Sequence, residues 1–293
     1  MTELVLTEEQ NNLDLTTQEG KDFLGKTLLQ QEQTEHTIIH RFGPGVYIRE
    51  ASYPANVMIV GQTHVGEHIN MLLKGRINIF NDNGSVTTLE APYMFVAKAG
   101  SKVGYTLEEV VWQNIYATNE TNVEELEATL FKTPDYWKEH LQSKLNTKSI
   151  AYQIDRNDFQ LMLKETNWKE SDVTTLSNYT EDKIPFPYGN YTISQGNSAI
   201  QGKGLFATGP FYKDDVIAPM RINGKRTPAG YLVNHSKTPN CLAVLQNNDL
   251  YLVASKEIKG MYGGELGEEF TLDYRQVMLL NNLWNGEIKC QQV

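Results

Sequence analysis

Between Val46 and Ala117 the apolar residues come in short runs broken by Gly, Pro, Asn and Asp. The runs read VYIREA, NVMIV, INMLL, RINIF, VTTL, MFVA and VVWQNIYAT. Runs of this length between turn formers predict strands rather than helices. Phe80-Asn81-Asp82-Asn83-Gly84-Ser85-Val86 predicts a tight hairpin, because Asn and Gly accept the positive φ that such turns require. About seven strands at this spacing make a sandwich or a barrel.

Helical periodicity follows. Thr121-Asn122-Val123-Glu124 has the form of a capping box ahead of Leu126 and Leu130. Thr133-Pro134-Asp135 predicts an N-cap with proline in the first turn, opening a helix through Trp137 and Leu141. Further amphipathic segments run from Asp158 to Glu165 and from near Ser171. Ile184-Pro185-Phe186-Pro187-Tyr188-Gly189 breaks the pattern and reads as a linker. Glycine-rich, β-like sequence then continues to about Tyr274. The first 40 residues, rich in Glu, Gln, Asn and Thr, predict an extended arm with at most a short helix near Asp22 to Gln33. The chain therefore divides into an arm (1–40), a β-barrel (41–120), a helical connector (121–187), a second β domain (188–280) and a tail (281–293). The class is mainly β with an α connector.

Composition narrows the function classes. A formal charge of −10 argues against direct nucleic-acid binding, which needs clustered Lys and Arg. Two cysteines, Cys241 and Cys290, cannot build a disulfide framework or a cysteine-rich zinc module. The N-terminus MTELVLTEEQNN lacks the basic and apolar regions of a signal peptide, and no apolar run is long enough to span a membrane. The expectation is a protein that is not secreted.

Three ordered segments carry candidate chemistry. They are SAIQGKGLFATGPFYKDDVI (198–217), NHSKTPNC (234–241) and the GEEFTLDYR that closes at Arg275. Singly, a Gly-x-Gly is a turn, His235 a satisfied histidine and Tyr274 a strand-end residue. Jointly, in this order, they resemble the SET domain of protein lysine methyltransferases. That resemblance implies a compact SET-type β-clip domain binding S-adenosylmethionine. Gly202, Lys203 and Gly204 would hold the methionine end, since glycines let backbone approach a ligand closely. Asn234 and His235 would serve the amine and adenine, and Tyr274 would aim its hydroxyl at the transferring methyl group. The chain departs from the family pattern in the short stretch between its first two motifs and in lacking the cysteine cluster that follows many SET domains.

The barrel segment has a resemblance of its own. Gly61-Gln62-Thr63-His64-Val65-Gly66-Glu67-His68, running on to Gly75, is similar to the first cupin motif, and Ala91-Pro92-Tyr93-Met94-Phe95-Val96 to the second. This implies a cupin-like double-stranded β-helix. Aligned on Gly75, the motif keeps two imidazoles, His64 and His68, as metal candidates; two are a poor basis for a zinc or iron site, so a barrel without metal is expected.

The pairing of such a barrel with a compact SET domain resembles a group of bacteriophage-encoded proteins. Two readings follow. One is a methyltransferase acting on a protein substrate in the host cytoplasm. The other is a virion structural or assembly protein, contacting other virion proteins and using both folds as non-catalytic scaffolds. Self-association is expected in either case.

Overall fold

The computed structural model describes residues 13–151 and 153–284. The acidic N-terminus and Cys290 lie outside the described residues. Helix α1 (Gln18–Leu28) is capped by Thr17, whose Oγ accepts the Gly20 amide at 3.1 Å. Strand β1 (Glu35–Gly43) follows. The stretch read as an arm thus holds a helix and a nine-residue strand. Lys21 of α1 is buried between Asp82 Oδ1 at 2.6 Å and the Ser101 carbonyl at 3.0 Å, which fixes the helix to the barrel.

The barrel is built from β2 (Val46–Tyr53), β3 (Met58–Val60), β4 (Thr63–His64), β5 (His68–Lys74), β6 (Arg76–Phe80), β7 (Val86–Glu90), β8 (Tyr93–Ala97), β9 (Val103–Thr106) and β10 (Val110–Ala117). All seven apolar runs contain strands, and the expected hairpin joins β6 to β7, with Asn81 and Ser85 bonded across it. Setting aside the two-residue β4, the sheets run β2-β10-β5-β8 and β3-β9-β6-β7. Counted along the chain, those orders are first-eighth-third-sixth and second-seventh-fourth-fifth. That is a jelly roll, the double-stranded β-helix. One end of its interior is apolar: Leu72, Ile77, Ile79, Leu89 and Val110 form a buried cluster.

The connector contains α2 (Val123–Leu130), β11 (Phe131–Lys132), α3 (Asp135–Ala151), α4 (Gln153–Thr166) and α5 (Glu170–Asn178). The expected capping box does not form, and the N-cap lies one residue later. Asn122, not Thr121, caps α2 through the Glu124 amide at 3.1 Å, while the Thr121 hydroxyl donates to the Phe186 carbonyl at 3.0 Å. That bond and the stacking of Phe186 on Tyr191, centroids 4.7 Å apart, make the Pro-rich 184–189 segment a packed strap rather than a free linker. Among the described residues no helix is long and apolar enough to cross a membrane.

The C-terminal part comprises β12 (Gly189–Tyr191), β13 (Ile193–Asn197), β14 (Lys203–Ala207), β15 (Val216–Ile222), β16 (Lys225–Arg226), α6 (Pro228–Tyr231), β17 (Asn234–His235), β18 (Cys241–Gln246), β19 (Asp249–Ala254), β20 (Met261–Tyr262), β21 (Thr271–Leu272) and α7 (Tyr274–Leu280). β13 and β14 form a hairpin, β16-β15-β19-β18 a sheet, and β17 runs parallel to β21. Both β12 and β20 add to β1, so one strand stitches the two β regions together. A single buried cluster accordingly runs from Phe42, Tyr47 and Tyr116 of the barrel through Phe131 and Phe186 to Leu205, Leu252 and Phe270.

Candidate functional site

The three C-terminal motif segments meet. The parallel pairing of β17 with β21 sets Asn234 opposite Thr271 and His235 opposite Leu272. Asn240 locks the crossing: its Oδ1 accepts the Thr271 amide at 2.8 Å and its Nδ2 donates to the Glu269 carbonyl at 2.9 Å. Phe270 donates its amide to the Leu205 carbonyl at 2.8 Å, tying β14 to the same knot.

Once together, these groups bind one another. Asn234 Nδ2 donates to Glu269 Oε1 at 2.7 Å, to the Lys203 carbonyl at 3.0 Å and to the Gln201 carbonyl at 3.2 Å. The other Glu269 oxygen accepts from Ser198 Oγ at 2.9 Å. A Cβ added to Gly204 would collide with the Glu269 carboxylate, so this glycine makes room for a side chain of the chain itself. Gly202 has φ +56, the left-handed region that favours glycine, with open space beside it. Lys203 points away to α2, pairing with Glu124 at 2.8 Å.

His235 is engaged at both nitrogens. Nδ1 accepts the Tyr274 amide at 3.2 Å, which leaves the proton on Nε2, donated to Asp158 Oδ2 at 3.0 Å. Burial holds this imidazole below its ordinary pKa, opposed by the bond to Asp158 and the charge of Asp273. The Tyr274 hydroxyl donates to the Val233 carbonyl at 3.0 Å, and burial raises its pKa. Helix α4 covers this end of the cluster. Asp155 accepts from Ser236 Oγ at 2.7 Å, and Arg156 Nε donates to the Ile200 carbonyl at 3.0 Å. Arg275 bridges back to Asp158 at 2.8 Å. Sequence reading missed Ser198, Glu269, Asp155 and Asp158. Asp158 stands 77 residues from the histidine it binds, with no local signal linking them.

Arranged this way, the side chains do not fit S-adenosylmethionine. The Asn234 amide that the resemblance gives to the cofactor is taken by Glu269, and the Gly204 approach is filled by a carboxylate. Cys241 is buried with its thiol pushed up to about 12 by desolvation, so it offers no thiolate.

The barrel holds the second candidate group. His64 and His68 stack face to face, centroids 3.8 Å apart and planes 10° from parallel. A metal bound by two imidazoles must lie near both ring planes, and near-parallel planes at this spacing share no such point. His64 Nδ1 pairs with Tyr116 Oη at 2.6 Å and His68 Nδ1 with the Gly66 carbonyl at 3.1 Å. Among the described residues no group of three or more metal-capable side chains gathers. Burial, with the charges of His68, Lys102 and Arg49 behind it, pushes His64 down to about 3. Phe131 closes the barrel mouth, its ring edge-on to His64 at 5.0 Å and Arg49 lying 5.6 Å over it. Outside that plug a cavity of about 540 Å³ is lined by Gln62, Glu127, Phe131, Lys132, Lys138 and Gln195.

No family model and no curated sequence matches the chain. Three similar solved structures each align with 28–31% of it. A cupin superfamily protein from Desulfitobacterium hafniense aligns with 31% of this chain and 85% of its own, at 14% identity and a TM-score of 0.25. An acetylacetone dioxygenase from Acinetobacter johnsonii aligns over 29% and 62%, also at 14% and 0.25. An RmlC-like cupin with a double-stranded β-helix from Methanocaldococcus jannaschii aligns over 28% and 81%, at 8% identity and 0.24. None of the three describes an activity of this chain.

Proposed function

We propose that this chain is a structural and assembly protein, in which the SET-like segments form a self-satisfied scaffold rather than a cofactor pocket. The closed circuit of Asn234, Glu269 and Ser198 packed against Gly204 carries this reading. A ligand competing for those groups must first break buried bonds, each worth about 0.5–1.5 kcal/mol and more where a carboxylate takes part. The resemblance to phage-encoded proteins gives the assembly a place, the virion, with other virion proteins as partners and neither nucleic acid nor membrane. Calorimetric titration with S-adenosylmethionine tests the scaffold reading. No saturable heat is expected; saturable binding that Gly204→Ala abolishes would overturn it. Mass spectrometry of purified particles tests the place, and absence of the chain from them removes it.

One observation favours a second reading, a SAM-dependent protein-lysine methyltransferase. Tyr274, Asn234, His235 and the Gly202–Gly204 turn gather in one neighbourhood, as that family requires. Cofactor binding would then require Glu269 to leave Gly204 and Asn234 to exchange partners. Methyl transfer to a lysine peptide, abolished by Tyr274→Phe, would establish this alternative.

A further inference from the structure

The cavity outside the Phe131 plug, about 540 Å³ and within the range of small-molecule sites, is walled by the barrel, the connector and the C-terminal part together. Gln62 comes from the barrel, Glu127 and Ala128 from α2, Phe131 and Lys132 from β11, and Gln195 from β13. Glu124, Glu127 and Ala128 stand three and four residues apart, so they share the face of α2 that lines the cavity. Four charged side chains line it: Glu124, Glu127, Lys132 and Lys138. Two of them are already neutralised. Glu124 pairs with Lys203 at 2.8 Å and accepts from the Gln195 amide, and Lys138 pairs with Asp135 at 2.8 Å. The Glu127 carboxylate and the Lys132 ammonium find no hydrogen-bond or ion-pair partner among the described residues.

The two bare charges differ in depth. Glu127 is half-buried, whereas Lys132 and the neighbouring Thr133 are exposed at the rim. A half-buried carboxylate without a partner has lost part of its hydration and gained no counter-charge in return. Burial raises its pKa, opposed by the charge of Arg49 and reinforced by that of Glu124 one turn away. Arg49 acts from a distance, its guanidinium lying 5.6 Å over the Phe131 ring. A cation that donates hydrogen bonds to Glu127 restores what burial removed. A purely cationic ligand sets like charge against Lys132 and Lys138, and a purely anionic one sets it against Glu127. A ligand with its ammonium inward and its carboxylate outward satisfies both depths. The rest of the wall is partly apolar, from Ala128 and the Phe131 ring. We propose that this cavity binds an α-amino acid with an apolar side chain, its ammonium on Glu127, its carboxylate at Lys132 and its side chain against Ala128 and Phe131. Neither Glu127 nor Lys132 belongs to the circuit of Asn234, Glu269 and Ser198, so failure of this site leaves the reading of that circuit untouched.

Titration of the full chain with L-leucine, followed by the amide NMR shifts of residues 124–133, tests the proposal. Isopentylamine, which lacks the carboxylate, and 4-methylpentanoate, which lacks the ammonium, are titrated beside it. Leucine is expected to saturate with a dissociation constant below about 10 mM, and each analogue to bind about tenfold or more weakly. Glu127→Gln keeps the side chain's size and removes its charge. It should weaken leucine about tenfold or more and leave 4-methylpentanoate no weaker. Ala128→Leu fills the cavity from an exposed helical position and should abolish leucine binding with the far-UV spectrum kept, which secures the test should the Glu127 variant fail to fold. No saturable leucine shifts up to about 10 mM, an analogue that binds as tightly as leucine, or a leucine affinity unchanged in the folded variants overturns the site.

Discussion

Asp158 and His235 form a buried pair across 77 residues of sequence, Oδ2 to Nε2 at 3.0 Å, and this pair joins helix α4 to the knot formed by β17 and β21. The Tyr274 amide on Nδ1 fixes the tautomer, so the imidazole donates to a carboxylate that Arg275 also holds at 2.8 Å. Removing the carboxylate leaves an imidazole donor and a guanidinium without their shared acceptor. Asp158→Ala is expected to destabilise the fold by about 3 kcal/mol, within the range for breaking a buried ion pair. Equilibrium urea denaturation reads it; a loss below about 1 kcal/mol would show that α4 docks by other contacts.

Gly204 and Glu269 should couple. Gly204→Ala drives a methyl group against the Glu269 carboxylate and should cost about 1–3 kcal/mol, in the range of overpacking. The same substitution in a Glu269→Ala background should cost markedly less, because the obstacle is gone. Additive losses in the double-mutant cycle would contradict the close packing.

Phe131 shields the stacked histidines. Phe131→Ala should cost about 3–5 kcal/mol as a buried aromatic is lost. It should also raise the His64 pKa from about 3 toward 6.5, since burial is the main cause of the depression. Imidazole titration by NMR follows the shift. An unchanged His64 would mean that Phe131 does not seal the barrel.

Stability should fall on mild acidification. His40, fully buried, and His64 are both held at about 3, below their ordinary 6.5. Below pH 6.5 the unfolded chain takes up protons that the folded chain refuses, so stability is full above 6.5 and drains as pH falls toward 3. Each histidine contributes a slope of up to about 1.4 kcal/mol per pH unit. Between pH 6.5 and 5 the carboxylates with lowered pKa values, among them Glu50, Asp158, Asp182 and Glu265, add little because they begin from values below 5, while Glu127, raised by burial, works in the opposite direction. A His40→Gln variant should show a flatter decline in thermal midpoint across that window; an identical decline would exclude His40 as a contributor.

The Tyr274 hydroxyl contributes one buried hydrogen bond, so Tyr274→Phe should cost about 1 kcal/mol. A loss of several kcal/mol would point to a wider network around this residue.

Much of the barrel was legible because the sequence signals it locally. Apolar runs between Gly, Asn and Pro mark strands, and Asn81 to Gly84 marks a turn, through backbone conformations that neighbouring residues decide. Strand β1 was not legible, although its EHTIIHRFG carries apolar residues, because it draws its partners from three places in the chain. The Pro-rich segment looked like a linker for the same reason: its anchors, Thr121 and Tyr191, lie in other elements.

By itself the sequence determined which backbone stretches extend, where they turn, and which polar segments must meet if the C-terminal region folds. Only the tertiary structure decided what those segments face. It set Glu269 rather than open space against Gly204, Asp158 on His235, and His64 flat against His68. Side-chain partners of this kind come from elements separated by tens of residues, and hydrophobic periodicity encodes which face of an element is buried, not what is buried against it.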